Sequence, residues 1–226
     1  MKIAVLGTGM VGKAFADRLA GLGHEVSVGT RDVAATMASS EPDRAGNPPF
    51  AVWAADHPQV RLTTFAEAAA DAELIVNATS GNVSIAVLEA VGEANLAGTV
   101  LLDISNPLDA SRGFPPTLFV KDTDSLGEQI QATFPELKVV KALNTMTASL
   151  MVDPRQLADG QHSVFVAGND PAAKQTVTAL LTSFGHTDVI DLGDLSSARG
   201  AEMYLPLWLR LMGALNTPLF NIKVVR

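Results

Sequence analysis

The chain opens on an apolar run at residues 2–6, unbroken after Lys2, the pattern of a parallel strand buried on both faces. From Met10 the period changes: Phe15, Leu19 and Leu22 share one helical face, while Lys13, Asp17 and Arg18 lie on another. Gly23-His24 then leads into a second predicted strand at 25–28. The same reading predicts further strands at 61–63, 74–78, 100–104, 139–143, 163–167 and 188–191. Helices are predicted at 65–70, 84–91, 125–134, 171–184 and from about 198 to 215. Alternation of this kind, with no internal repeat, points to an α/β fold: a Rossmann-type doubly wound, mainly parallel sheet. The expected division is a larger domain over 1–144 and a smaller C-terminal α/β domain over 145–226 that closes over it. Residues 32–58 carry Pro42, Pro48, Pro49 and Pro58, too many for a regular crossover helix throughout. They form either a loop near the nucleotide or a surface excursion.

Between the first strand and the first helix stand Gly7, Thr8, Gly9, Met10, Val11 and Gly12. The first glycine allows a tight turn, the second lets backbone approach a pyrophosphate, and the third lets helix and strand pack closely. The N–H groups and dipole of the helix N-terminus would receive the phosphates. Because this motif follows a strand and opens a helix, we read residues 1–144 as a dinucleotide-binding domain rather than a bare glycine turn.

The end of the second strand separates the two nicotinamide cofactors. An NAD site usually places Asp or Glu there to bind the ribose 2′-hydroxyl. Here the chain reads Gly29-Thr30-Arg31, and a hydroxyl with a guanidinium suits a 2′-phosphate, which Arg31 can bind as a charge-assisted fork. The competing reading makes Arg31 a solvated residue and Asp32 the ribose ligand.

At the C-terminal ends of later predicted strands come Ala78-Thr79-Ser80-Gly81, Ser105-Asn106-Pro107 and Asn144-Thr145-Met146, where ligands of open α/β sheets bind. Such side chains hydrogen-bond a ribose or a carboxamide and are poor acids and bases. Each alone is equally explained by turn chemistry or capping; their recurrence favours a cofactor cleft. Lys141 lies beside Asn144, as a catalytic group or as an ion pair or strand-edge residue, and Asp103 reads as a buried hydrogen-bonding carboxylate or a base. A cleft with a hydride donor and no acid–base machinery suits an acceptor that carries its own chemistry, such as a flavin or deazaflavin ring.

Composition narrows the picture further. The 226 residues contain no Cys, so disulfides, thiolate metal sites and Cys nucleophiles are excluded. A net charge of −8 argues against nucleic acid or an anionic membrane as partner. His24, His57, His162 and His186 show no ligand spacing, so no metal is expected. The apolar N-terminal run reads as a strand rather than a cleavable signal, and a cytoplasmic location is expected. Residues 203–220 are the richest apolar stretch but contain Pro206, Arg210, Asn216 and Pro218, which suits a buried or interface helix better than a membrane span. Apolar residues there, Trp208 included, cover nearly every face, so a homodimer is expected.

The segments GTGMVGKAFADRLAGLGHEVSVGTR, LLDISNP, VVKALNT and GDLSSARGAEMYLPLWLRLMGALN resemble the NADPH-dependent reductases of coenzyme F420, also called coenzyme F420-dependent NADP oxidoreductases. They are similar as well to the cytoplasmic domains of the STEAP ferric reductases. Only residues 32–58 lie outside the resemblance. It implies that Thr8 to Gly12 bind pyrophosphate, that Thr30 and Arg31 bind the 2′-phosphate, and that Ala78, Thr79 and Ser80 border the cofactor. Ser105, Asn106, Pro107 and Asn144 would lie near the nicotinamide, with residues 195–212 close to the acceptor ring. Where archaeal deazaflavin reductases have His after the strand matching 139–143, this chain has Asn144, as the ferric reductase domains do. The expected activity is hydride transfer between NADP(H) and a flavin-like acceptor, coenzyme F420 or FMN/FAD, with Asn144, Ser105 and Asn106 positioning the nicotinamide. The alternatives are an NADPH-dependent small-molecule dehydrogenase or imine reductase, and a non-catalytic dinucleotide sensor.

Overall fold

A computed structural model describes residues 1–42 and 46–226. Its strands are β1 (Lys2–Leu6), β2 (Glu25–Thr30), β3 (Arg61–Thr64), β4 (Leu74–Asn77), β5 (Val100–Asp103), β6 (Leu108–Asp109), β7 (Thr117–Leu118), β8 (Lys138–Ala142), β9 (Ser163–Gly168) and β10 (Asp188–Asp191). Eight of them form one sheet in the order β10-β9-β8-β5-β4-β1-β2-β3, and β6 pairs with β7 in a separate two-stranded ladder. From β3 to β8 all neighbours are parallel. Strand β9 runs antiparallel to β8, with Val140 opposite Gly168.

Successive residues of the central strand feed opposite layers, as the two-residue period requires. Ile3 and Val5 join Phe15 and Leu19 of the helix Met10–Gly21 and Val177 and Phe184 of the helix Pro171–Phe184 in one core. Ala4 and Leu6 point the other way, to Leu88, Leu101 and Ile130. Phe15 meets Phe184 edge to face with ring centroids 5.8 Å apart, a geometry worth about 0.5–1.5 kcal/mol beyond its area.

The predicted strands and helices are found within a residue or two of their places, while β6, β7 and the short helices Glu93–Leu96 and Ala148–Val152 come in addition. Two segments differ in an instructive way. The helix predicted from 198 to 215 is two helices, Ala198–Met203 and Leu205–Leu215, meeting at Tyr204. Pro206 explains the break, since it cannot donate to the carbonyl four residues back and its ring collides with it. The second is the segment 32–58, which holds two short helices, Val33–Ala38 and Phe50–Ala55; residues 43–45 within it lie outside the described residues. Lys13 Nζ donates to the Pro48 carbonyl at 2.8 Å, and His57, stacked on Trp53, sits 3.2 Å from Asp17. The segment is thus fastened to the outer side of the helix Met10–Gly21.

The chain leaves β1 on one side for β2 and β3, then crosses back to lay β4 against its other edge. That reversal opens a crevice above the carboxyl ends of β1 and β4. The boundary expected at Asn144 falls just past β8, and the sheet continues across it through β9 and β10. No helix is long and apolar enough to cross a membrane among the described residues.

Candidate functional site

The crevice is built first from close backbone contacts. Gly7 has φ +117°, and a Cβ on it would stand 2.8 Å from the Ala78 carbonyl oxygen. A Cβ on Gly12 would run into the Gly7 carbonyl, so these two glycines seat helix Met10–Gly21 on β1 and β4. Gly9 differs: a Cβ there would meet nothing within 4 Å. It is the N-cap of that helix and supplies no side-chain cap, so the first turn presents its N–H groups to open space. Gly81, which the sequence shows only as part of a strand-end run, lets the loop after β4 lie against the Asn106 carbonyl. No motif marks it; the constraint is purely tertiary.

At the end of β2 the two competing readings separate. Asp32 Oδ1 accepts from Ala35 N at 2.9 Å and caps the helix Val33–Ala38. The adjacent Arg31 is exposed and makes no hydrogen bond or ion pair among the described residues. Thr30 is buried, its hydroxyl 2.8 Å from that of Thr36, which in turn donates to the Asp32 carbonyl. The hydroxyl of Thr30 is therefore engaged within the β2 turn, and the guanidinium of Arg31 is left free among the described residues.

Strand ends β4, β5 and β8 surround a cleft of about 990 Å³. Met10, Val11, Thr79, Ser80, Ser105, Asn106 and Asn144 line it; Thr30, Arg31 and Pro107 do not. Its far wall comes from Leu108 and Asp109 of the β6–β7 ladder, which the sequence reading left out, from Ser111 and Phe119 flanking that ladder, and from Leu205, Trp208 and Leu209 of the last helix. The indole N–H of Trp208 is buried without a hydrogen-bond partner, and its ring stacks on Phe220.

Beneath the cleft runs a buried polar network. Asn77 donates to Asp103 Oδ1 at 2.9 Å and accepts from the Thr79 hydroxyl at 2.6 Å. Ser105 Oγ donates to the same Asp103 oxygen at 2.7 Å. Asp103 and Lys141 face each other in the β5–β8 register, and Lys141 Nζ reaches Asp103 Oδ2 at 2.8 Å, the Ser105 carbonyl at 2.6 Å and Glu202 Oε1 at 2.8 Å. All three ammonium protons are thereby used. Burial alone would push the Lys141 ammonium down, but the Asp103 and Glu202 carboxylates outweigh it and hold its pKa above the ordinary lysine value. Glu202 also accepts from Leu126 N and Gly127 N, the N-terminus of the helix Leu126–Thr133. Lys141 is thus the ion-pair residue of the two readings open from sequence, and it does not line the cleft.

Above this network Leu143 adopts a left-handed conformation, φ +62°, where β8 ends, and the turn delivers Asn144 to the cleft. Asn144 Nδ2 donates to Asn106 Oδ1 at 2.9 Å and to the Ala201 carbonyl at 3.0 Å, while Asn106 Nδ2 donates to the Asn144 carbonyl at 3.0 Å. Among the residues lining the cleft Asp109 is the one that titrates. Hydrogen bonds from the Ser111 side chain and backbone hold its carboxyl below the usual carboxylate range. Among the described residues no group of three His, Asp or Glu side chains is arranged to hold a metal ion.

Comparison with known proteins follows the same geometry. Residues 2–107 match the family model described as NADP oxidoreductase, coenzyme F420-dependent. The F420-dependent NADP reductase of Methanothermobacter marburgensis is 30% identical over 215 residues, 93% of this chain and 92% of the relative. The metalloreductase STEAP3 of Rattus norvegicus is 30% identical over 212 residues, 92% of this chain, which spans only 38% of that larger protein. A crystal structure from Arthrobacter sp. FB24, assigned as an F420-dependent NADP reductase, superposes with a TM-score of 0.96 at 64% identity and full coverage of both chains.

Proposed function

The chain belongs to the coenzyme F420-dependent NADP oxidoreductase family, and from that premise we propose that it passes hydride between NADP(H) and a flavin-like acceptor bound in the cleft beside Asn144. It is an NADP-dependent oxidoreductase. The observation that carries the choice of acceptor is the lining itself. Its polar groups are Thr, Ser and Asn, and its single titratable group, Asp109, is held ionised. A carbonyl or imine substrate needs a proton delivered as hydride arrives, and nothing in this lining is poised to give one. A flavin or deazaflavin ring needs only to be held against the donor.

The residues fit the dinucleotide. The open space over Gly9 and the uncapped helix N-terminus suit a pyrophosphate, with Gly7, Thr8, Gly9, Met10, Val11 and Gly12 forming its cradle. Arg31, without a partner among the described residues beside a committed Asp32, suits a 2′-phosphate; Thr30 shapes the turn that presents it. Ala78, Thr79, Ser80 and Pro107 are taken to border the nucleotide. When bound, the nicotinamide supplies the hydride. Asn144, Ser105 and Asn106 then fix the amide and ribose, and residues 145–226 exclude water from the acceptor side. We take residues 1–144 as the dinucleotide-holding part on this basis.

The same proposal extends to the acceptor, the location and the assembly. The acceptor is coenzyme F420, or FMN/FAD, rather than a macromolecule such as a nucleic acid. The protein acts in the cytoplasm, as a homodimer through the exposed Leu207 and Leu215 of the last helix. Light scattering at micromolar concentration should give twice the monomer mass, and a monomer would remove the dimer. NADPH oxidation against coenzyme F420, FMN and FAD tests the activity. Turnover with one of them is expected; inert flavins alongside reduction of an imine or carbonyl panel would transfer the protein to the dehydrogenase class.

A further inference from the structure

Behind the far wall of the cleft lies a second cavity of about 350 Å³. It shares both elements of that wall. On the last helix Leu205, Trp208 and Leu209 face the cleft, while Pro206 and Arg210 face the second cavity; on the β6–β7 ladder Leu108 and Asp109 of β6 line the one and Thr117 and Leu118 of β7 the other. At 100° per residue the two helical faces adjoin, so the cavities meet along one edge of the helix.

The chemistry of the second cavity is distinctive for this chain. Two cations, Lys121 and Arg210, line it together with Pro115, Pro116 and Met203, and no carboxylate does. Both cations are exposed, and neither makes a hydrogen bond or ion pair among the described residues. Among the described residues the exposed cations without a salt bridge are Arg31, Arg61, Arg112, Arg155, Lys121 and Arg210, and of these Lys121 and Arg210 share one cavity, in a protein of net charge −8. A pair left without acids beside an acceptor site is complementary to an anion.

We propose that this groove binds the anionic side chain of the acceptor, through Lys121 and Arg210, while the ring occupies the main cleft. The inference rests on the flavin-like reading of the cleft and adds the ligand's second anchoring point. The shared chemistry is a phosphoryl group carried on a polyol chain from the ring: the phosphodiester and carboxylates of coenzyme F420, or the phosphate of FMN. Proline at three of the lining positions keeps the groove rigid, so little ordering cost attends binding.

The test compares each tailed acceptor with its tail-less counterpart: coenzyme F420 with its deazaflavin riboside precursor, and FMN with riboflavin. Equilibrium binding is followed by acceptor fluorescence with NADP present, and turnover by NADPH oxidation. In the wild type the tailed form of the working acceptor should bind more tightly, with an advantage that shrinks as salt is raised. Lys121→Ala/Arg210→Ala should weaken the tailed form about five- to thirtyfold, as two exposed charge pairs combine, and leave the tail-less form and the KM for NADPH within twofold. Lys121→Arg/Arg210→Lys should restore the preference. Equal affinity of tailed and tail-less forms in the wild type, or equal losses in the double alanine variant, would overturn the groove while leaving the cleft reading intact. Tail-dependent binding without any turnover would uphold the groove and overturn the proposed activity. No binding of any of the four would overturn both.

Discussion

Asn144 and Asn106 hold each other by two hydrogen bonds, the side chain of each reaching the other residue, at 2.9 and 3.0 Å. The pair ties the end of β8 to the end of β5 across the mouth of the cleft, and the second Asn144 N–H ties both to the Ala201 carbonyl. Asn144→Ala removes both bonds that the Asn144 side chain donates and leaves the Asn106 N–H on the Asn144 carbonyl. Because a displacement of about 1 Å at a reacting centre can cost on the order of 100-fold in rate, kcat should fall by roughly ten- to a hundredfold. Stability should fall by about 1–3 kcal/mol through the unpaired Ala201 carbonyl and Asn106 amide. Steady-state kinetics and a urea titration measure the two; an unchanged kcat would show that the pair only braces the fold.

Arg31 and Asp32 are neighbours with separate duties. A charge-assisted bond to a 2′-phosphate is worth about 1.5–3 kcal/mol, so NADPH should be preferred over NADH by about 10- to 150-fold. Arg31→Ala should erase that preference and leave NADH binding nearly unchanged. Asp32→Ala should cost about 1 kcal/mol of stability by uncapping the helix Val33–Ala38, with NADH affinity intact. Loss of NADH affinity in the Asp32 variant would return that carboxylate to the ribose.

What the sequence made legible was local. The glycine turn, the strand ends and the step from Thr30 to Arg31 each lie within a few residues of one another, so their geometry follows from neighbouring positions. Asp103 and Lys141 were half-legible: each interrupts an apolar strand, and only the β5–β8 register places them opposite one another. Glu202 was not legible. In sequence it is one charge on a helix, and it becomes buried because that helix folds over Lys141 and the N-terminus of Leu126–Thr133. The far wall of the cleft, assembled from a four-residue ladder and a helix restarted by Pro206, is likewise set by packing between distant segments.

That network changes what a Lys141 substitution should do. From sequence alone Lys141→Met reads as tolerable if the protein folds. The structure shows it would strand Asp103 and Glu202 in the core without their counter-charge, a loss of about 3–5 kcal/mol. The expected outcome is poor folding rather than a folded, inactive enzyme. The pH dependence has a defined sign. With the folded pKa raised above the ordinary 10.5, the ion network contributes fully below that value and is lost as pH rises through the folded pKa. A urea midpoint flat from pH 7 to pH 10 and falling above it would agree; a folded Lys141→Met variant with normal stability and no activity would instead make the ammonium catalytic.

His186 sets the opposite limit. Its ring is buried, Nε2 lies 2.9 Å from the Met151 carbonyl, and Nδ1 has no partner. Burial pushes its pKa below the ordinary 6.5; the Met151 carbonyl works against that shift and the neighbouring His162 adds to it. A base whose folded pKa is depressed gives stability that is whole above 6.5 and is lost as pH falls, because the unfolded chain takes up the proton first. The urea midpoint should therefore decline between pH 7 and pH 5, a window above the range where the paired carboxylates titrate. His186→Gln keeps a donor for Met151 without a charge to gain, so its midpoint should be lower at neutral pH and flatter across that window. A variant as steep as the wild type would place the acid sensitivity elsewhere.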